Sequence, residues 1–334
     1  MNDIKTTDNY KYYIGNRPDK ATQIKKFVGD NMPNIKSVFD VGCNNGDISY
    51  ELQKTGLSVL GIDFSENLKM PSDYNFRHMD IVNNNEVYYN DLTLFLSLYH
   101  HILGKYGLSI ADDIFYKLLL RTKYLIFDVG NLSEKTRSTC YWFKEELKHF
   151  KTEKDLLDHF NVPYTTIGHW DIAGGRRHLV LFKSEDFDSS VKIEESFRRK
   201  VGSEYQHEGI FKSKLIPDTK ISDDIVKADD NGFYFGNIFH KLKLGNKMFF
   251  AKKHLITDYY HEWEKDNIVS VYNNIDKNKL LKFYGCSEKY GFIYEWLETF
   301  TYIKKVRVNI NNKVLKDVDL IKVNGIEKYI DFLV

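Results

Sequence analysis

The sequence predicts an α/β fold: a mostly parallel sheet covered by helices on both faces, followed by a smaller α+β domain. Three observations predict it. Short apolar runs in the first half alternate with helical patterns, as βαβ units do. One of those runs leads straight into a glycine-containing turn, Gly42-Cys43-Asn44-Asn45-Gly46. The chain has 334 residues, more than one ordinary domain, and its middle is charged and poor in apolar periodicity.

The elements follow in order. Residues 1–9 are polar. Lys20–Asn31 (KATQIKKFVGDN) reads as an amphipathic helix. Ser37–Val41 is a short apolar strand running into Gly42, and Asp47–Thr55 is a helix closed by Gly56. Leu57–Ile62 is a strand ending at Asp63. Phe76–Met79 is a weak third strand and Asp91–Ser97 a fourth. A helix covers Ile110–Arg121, and Lys123–Asp128 (KYLIFD) is a fifth strand before Gly130. Asp155–Phe160 reads as helical. Tyr164–Trp170 and His178–Lys183 read as a late antiparallel pair around Gly174–Gly175. The first domain is therefore expected over 1–185, with a linker over 186–230. A small α+β domain over 231–334 opens with Phe233–Phe235, Ile238–Leu244 and Met248–Lys253, the last two parted by Gly245–Asn246. A helix over Asp258–Tyr272 and strands over Leu280–Tyr284 and Phe292–Trp296 complete it.

Composition narrows the function classes. Lys and Arg number 48 against 47 Asp and Glu, so no global field draws in nucleic acid or an acidic membrane. The three cysteines, Cys43, Cys140 and Cys286, lie far apart, without zinc-type spacing, so no metal site is expected and a reducing, cytoplasmic setting is. The first residues, MNDIKTTDNYKYY, hold no apolar signal region. The longest apolar run, Leu92–Leu103 (LTLFLSLYHHIL), is too short to span a bilayer and carries two histidines.

The chemistry-bearing residues stand at strand ends. Glycines at 42 and 46 let the backbone approach a ligand and adopt positive φ, and the helix behind them offers N–H groups. Alone, such a turn suits any βα unit. Asp63 ends the next strand about 20 residues on, where an acid accepts hydrogen bonds from ribose hydroxyls. The turn lacks GxGxxG, which disfavours a nicotinamide dinucleotide. Asp80 closes FRHMD, at the position where an acid reads an adenine amino group.

VFDVGCNNGDIS, VLGIDFSENL and LSLYHHIL resemble the successive motifs of class I S-adenosylmethionine (SAM)-dependent methyltransferases, over about residues 10–185. The LSLYHHI segment resembles the methyltransferase half of WbdD-type bifunctional kinase–methyltransferases, which terminate O-antigen polysaccharide chains. RNA 5′-phosphate methyltransferases of the bicoid-interacting type are a more distant likeness. The resemblance implies a Rossmann-like class I fold whose mostly parallel, seven-stranded sheet is finished by a hairpin. It implies SAM as cofactor, held by Asp40, Gly42, Cys43, Asn44, Gly46, Asp63, Phe64, Asp80, Ile81 and Ser97, with Tyr13 and Arg17 placed to close over it. It further implies an O-methyltransferase in polysaccharide modification, acting on a sugar hydroxyl or terminal phosphate of a glycan or phosphoglycan acceptor, with a kinase or glycosyltransferase as partner. An RNA methyltransferase and a non-catalytic SAM-binding scaffold are the alternatives. Balanced charge argues against RNA. The intact set Asp40, Gly42, Gly46, Asp63 and Asp80 argues against the scaffold.

Methyl transfer to a hydroxyl needs a general base, and transfer to a phosphate needs cationic or donor groups. His100 and His101, just past the fourth strand, suit either need and are the candidate catalytic pair, His101 slightly favoured. A packing or capping role is the alternative for each. His169, Arg176 and Arg177, with Trp170 and His178 beside them, are candidates for holding the acceptor, against the plainer reading of a solvated hairpin.

In the second domain, a strand carrying Lys252, a helix with Glu262 and Glu264, and Phe292–Glu298 resemble in order a protein-kinase N-lobe, with Lys252 at the third-strand lysine position and Ile293–Leu297 as hinge strand. Past residue 231, no GxGxxG loop, HxD or DFG occurs. Phosphotransfer is therefore not expected of this chain. Either the chain is a fragment of a longer protein or the lobe is kept for binding. An unrelated α+β domain is the alternative.

Overall fold

The computed structural model describes residues 18–84, 86–128, 141–172, 175–198, 216–217, 237–254, 265–266, 268–269, 272–273, 280–297, 301–310 and 313–330. The chain divides into two compact units, residues 1–84 with 89–186 and residues 85–88 with 187–334.

The first unit runs α1 (Pro18–Asn31), β1 (Ser37–Val41), α2 (Asp47–Gln53), β2 (Ser58–Asp63), β3 (Phe76–His78), β4 (Asn90–Leu96), α3 (Tyr99–Tyr106), α4 (Leu108–Leu119), β5 (Thr122–Asp128), α5 (Tyr141–His149), α6 (Glu153–His159), β6 (Tyr164–Ile172) and β7 (Gly175–Lys183). These strands form one seven-stranded sheet in the order β3-β2-β1-β4-β5-β7-β6. Strands β1 to β5 are parallel, and β7 runs antiparallel to both β5 and β6. This is the expected Rossmann-like, mostly parallel sheet finished by a hairpin.

Alternation along the strands sorts the core into two layers. Leu92, Leu94, Ile126, Leu179 and Leu181 pack with Ile24 and Val28 of α1. Phe95, Phe127 and Phe182 alternate with them and meet Tyr99, Phe115 and Phe160, where Phe115 stacks on Phe160 at 3.6 Å. The apolar run Leu92–Leu103 is thus most of β4 and the start of α3. No helix among the described residues is long and apolar enough to cross a membrane.

The N-terminal edge of the sheet is clamped by Asp91. Its Oδ2 accepts from the backbone of Lys36 at 2.8 Å and of Ser37 at 3.1 Å, and Lys123 pairs with Oδ1 at 2.8 Å. Burial pushes this carboxyl up, but Lys123 and the backbone donors outweigh it and hold it down at about 2.

In the second unit, α7 (Ser184–Ser190) leads into β8 (Lys192–Arg198). The strands β9 (Ile216–Pro217), β10 (Asn237–Leu244), β11 (Lys247–His254), β12 (Phe283–Ser287) and β13 (Gly291–Glu295) join β8 in an antiparallel sheet ordered β12-β13-β11-β10-β8-β9. This corrects the linker reading of 186–230, because β8 pairs along β10 from Lys192 to Arg198. Residues 192–195 are all exposed, Ile193 included, so this stretch carries no buried apolar alternation that the sequence could show. The sheet has six strands rather than five. Strand β12 begins at Phe283 rather than Leu280, and Leu280 instead bridges to Tyr329. Residues 265–266, 268–269 and 272–273 are helical, while Phe233–Phe235, Glu262, Glu264 and Glu298 lie outside the described residues. A third sheet, β14 (Thr301–Ile310), β15 (Lys313–Val323) and β16 (Ile326–Ile330), is a meander that the sequence reading missed.

Two glycines of the first unit give opposite expectations. A Cβ on Gly61 of β2 would stand 2.1 Å from the Tyr74 hydroxyl, with ring carbons at 2.7 Å, whereas a Cβ on Gly29 of α1 meets nothing within 4 Å. In urea denaturation, Gly61→Ala should lose about 1–3 kcal/mol of stability through overpacking. Gly29→Ala should gain roughly 0.5–1 kcal/mol from helix propensity.

Candidate functional site

The five parallel strands bring their C-terminal ends to one edge, and a polar residue stands at each: Asp40 in β1, Asp63 in β2, Asp80 just past β3, Ser97 just past β4 and Asp128 in β5. Between β1 and β4 the strand order reverses direction, the place where open α/β sheets leave a crevice for ligands.

The β1–α2 turn is built from left-handed residues, Gly42 at φ 74°, Asn44 at φ 51° and Gly46 at φ 78°. Its first N–H groups are tied down, Gly42 and Cys43 both donating to the Ile62 carbonyl at 2.9 and 3.0 Å. The missing side chains admit neighbours. A Cβ on Gly42 would lie 2.8 Å from Leu98 Cδ2, and one on Gly46 would lie 2.8 Å from the Tyr74 ring. Tyr74 is buried there with its hydroxyl 2.5 Å from Ser49 Oγ. Burial pushes the thiol of Cys43 well up, helped by Asp40 and Asp63, so it stays a neutral packing group.

Asp63 reaches across to this turn. Its Oδ2 accepts from the backbone of Asn44 at 3.0 Å and its Oδ1 from Ser65 at 2.9 Å. Each oxygen keeps a second lone pair. Phe64, next in the chain, is 61% exposed, its carbonyl bonded to His78 Nε2 at 2.7 Å. Asp80 folds into an Asx turn, accepting from Val82 N at 2.9 Å and Asn83 Nδ2 at 2.6 Å, with Ile81 half-buried beside it. Asp40 is buried. Loss of hydration pushes its carboxyl up to about 6, against the lowering influence of Ser49 and Lys20.

At the end of β4 the chain turns through Ser97 at φ 56°, a left-handed conformation that costs a serine roughly 1–2 kcal/mol. Asp128 holds it, accepting from both the N–H and the hydroxyl of Ser97, the latter at 3.0 Å. The other carboxylate oxygen pairs with buried Lys20 at 2.5 Å. Arg177, buried on β7, donates to Ser97 Oγ at 3.5 Å. The helix α3 then begins, with His100 buried and His101 exposed in its first turn and their ring centroids 4.3 Å apart.

The hairpin residues do not act as one group. Arg177 belongs to the site edge, while Arg176, next on the strand and so on the opposite face, is exposed. His169 is exposed on β6, its backbone held by Gln23, and His178 pairs with Glu153 at 2.8 Å. Of the hairpin candidates for holding the acceptor, Arg177 alone among the described side chains reaches the end of β4. Tyr13, Arg17, Gly130 and Gly174, and the side chain of Trp170, lie outside the described residues. Sequence reasoning missed Lys20, Ser49, Tyr74 and Asp128 as parts of the edge. The signal for Asp128 was there, since KYLIFD ends in an acid as the Asp63 strand does.

No protein-family model matches the chain, and no curated protein does. Among solved structures, the chain is similar to the bifunctional kinase–methyltransferase WbdD at 14% identity and a TM-score of 0.41, covering 84% of this chain and 62% of that one. It is similar to magnesium protoporphyrin IX methyltransferase from Synechocystis PCC 6803 with bound SAM, at 17% identity and a TM-score of 0.38, covering 55% and 86%. It is also similar to the plantazolicin methyltransferase BpumL in complex with S-adenosylhomocysteine (SAH), at 15% identity and a TM-score of 0.38, covering 54% and 91%. The chain spans about six-tenths of the length of the WbdD structure.

The raised Asp40 carboxyl sets a pH dependence. Folded Asp40 titrates near 6 and the unfolded residue near 3.8, so between these values the folded state binds more protons. Stability should fall as pH rises from about 4 to about 6 and stay lower above it. Asp91, held low, acts with the opposite sign below about 4, where protonation removes its contribution. Asp40→Asn should therefore be more stable than wild type at pH 7.5, with the gap closing toward pH 4. Urea midpoints across that range check it, and a gap independent of pH contradicts it.

Proposed function

We propose that the first unit is a SAM-dependent O-methyltransferase whose acceptor is a sugar hydroxyl or terminal phosphate of a glycan. One observation carries the reading. Asp63 faces a left-handed glycine turn at the switch point of a parallel sheet, both of its oxygens keep acceptor capacity, and Phe64 and Asp80 stand beside it. A ribose diol fits Asp63, and an adenine ring fits between the exposed Phe64 and the Asp80 turn with Ile81. The turn Gly42–Gly46, with Asp40, Cys43 and Asn44, is the backbone wall against which the rest of the cofactor lies. When bound, SAM supplies a methyl group on an already activated sulfonium.

The protein's own work is alignment and proton management. His101 is the group that an acceptor arriving from solvent meets first, with buried His100 beneath it. As the new C–O bond forms and the C–S bond breaks, His101 takes the proton of a hydroxyl acceptor. For a phosphate acceptor the same imidazole, protonated, holds the oxygens. Arg177 adds a fixed positive charge at the same edge, and Tyr13 and Arg17 are proposed to close over the cofactor. The glycan reading rests on the WbdD-type motif resemblance and on the nearly balanced charge, 48 basic against 47 acidic residues, which gives no general field for RNA.

Calorimetry with SAH tests the cofactor assignment. Asp63→Ala should weaken binding by about 1–3 kcal/mol, the typical cost of lost charge-assisted hydrogen bonds, with circular dichroism confirming the fold. A folded mutant with unchanged affinity sinks the role given to Asp63, and a wild type that ignores SAH sinks the reading as a whole. Methyl transfer from labelled SAM to glycans, phosphoglycans and RNAs tests the acceptor. His101→Ala should reduce turnover far more than SAH affinity. Label appearing in RNA alone rejects the glycan reading.

A further inference from the structure

We propose that Asp128 is a positioning residue for His100: its carboxylate fixes the left-handed turn at Ser97 from which α3 departs, and so sets where the His100–His101 pair stands. The inference rests on the reading that the end of β4 is where the methyl group is delivered.

The turn needs holding. Ser97 is one of four non-glycine residues with positive φ among the described residues, and the other three are asparagines, which tolerate that conformation better. Glycine would adopt it freely. This serine is instead kept there by one neighbour. Its N–H is shared between the Asp128 backbone carbonyl, at 3.3 Å, and the Asp128 carboxylate. Its hydroxyl donates to the same carboxylate at 3.0 Å and accepts from Arg177. The hydroxyl's donor is therefore spent inside the protein. The place of Ser97 in the site is to shape the chain rather than to donate to a ligand.

Asp128 is itself immobilised. Lys20 pairs with its second oxygen, and both side chains are buried, in surroundings where a charge without a partner is costly. Downstream the turn is stiff. His101 N and Ile102 N both donate to the Leu98 carbonyl, and the Leu98 side chain packs over the bare Gly42. A change of φ at Ser97 therefore swings the first turn of α3 as a body and carries His100 and His101 with it. It also moves Leu98 off the glycine turn.

The test reads the histidine directly. Protein labelled at histidine rings is compared by NMR, the His100 signal being assigned through His100→Gln. Lys20→Met with Asp128→Ala removes the carboxylate without leaving a buried lysine charge behind. That pair should shift or split the His100 signal and lower turnover about 100-fold, the cost of misplacing a reacting group by about an ångström. Adding Ser97→Gly, which accepts the left-handed turn without Asp128, should return the signal toward its wild-type position and recover turnover. An unchanged His100 signal in the folded pair overturns the proposal. So does a signal that Ser97→Gly fails to restore, because Asp128 would then act through packing alone. If the pair does not fold, Ser97→Ala and Ser97→Gly in the wild-type background decide it. Both lose the hydroxyl bond, but the left-handed φ stays costly for alanine and is free for glycine, so the alanine should disturb His100 while the glycine does not, and equal effects reject the role. Failure of the wild type to bind SAH overturns the cofactor reading, while the NMR comparison still settles the positioning role.

Discussion

The buried Lys20–Asp128 pair is the interaction on which the ligand edge depends. Taking both charges out of water costs several kcal/mol per ion, and only close pairing and full hydrogen bonding offset it. Asp128 has Lys20 against one oxygen and the N–H and hydroxyl of Ser97 on the other. One contact therefore fixes three things: the start of α1, the end of β5, and the path of the chain from β4 into α3. The neighbouring acids reach other solutions. Asp63 spends its oxygens on the backbone of two turns, and Asp40, with weaker partners, is driven toward its neutral form. An edge rich in acids thus stays folded with each acid held by different partners, although Asp63 adds to the upward push on Asp40.

Absent side chains are the second constraint. Tyr74 covers Gly46 and Gly61 at once, and Leu98 covers Gly42. The turn after β1 is therefore packed from one side by the loop before β3 and from the other by the turn after β4. Glycine at these places serves conformation and close approach together. Because Leu98 leaves the turn after β4 and packs over Gly42, the turn after β1 and the start of α3 are mechanically one piece. Preorganisation of that kind is what a reaction governed by alignment demands.

The fold of the first unit was legible because burial on both faces writes it plainly. SVFDV and KYLIFD are apolar runs that end in acids, and the glycine turn follows the first. Asp40, Gly42, Gly46, Asp63 and Asp80 were named by place alone, and they stand at the strand ends and the β1–α2 turn where the sequence puts them. Lys20 was not, because an amphipathic helix hides a buried lysine among exposed ones, and its partner lies more than a hundred residues away. Nor did spacing separate Arg176 from Arg177; only the pleat, with its period of two, puts one inside and one out. In the second unit, β8 was lost because its first four residues, Ile193 among them, are all exposed. The β15–β16 hairpin had a local signal that went unread. Asn324 and Gly325, at φ 50° and 86°, form the two-residue Asn-Gly turn that joins twisted strands most readily.

The second unit bears on where the chemistry lies. Its strands β8, β9, β10 and β11 come first, then the helical residues 265–266, 268–269 and 272–273, then β12 and β13, and β8 and β9 lie outside the strands expected of a kinase-like N-lobe. Lys252 sits in β11, fully buried between Phe239 and Phe292 on the adjoining strands. A lysine there can organise a sheet or a ligand, but phosphoryl transfer also requires a carboxylate to position the nucleophile and another to hold metal. The residues after β13 carry neither an HxD nor a DFG motif, and their described part is the meander β14–β16. Among the described residues, Asp40, Asp63, Asp80 and Asp128 stand at one edge of the first sheet. Methyl transfer, which asks for a bound sulfonium and an aligned oxygen rather than a metal clamp, is the reaction that arrangement suits.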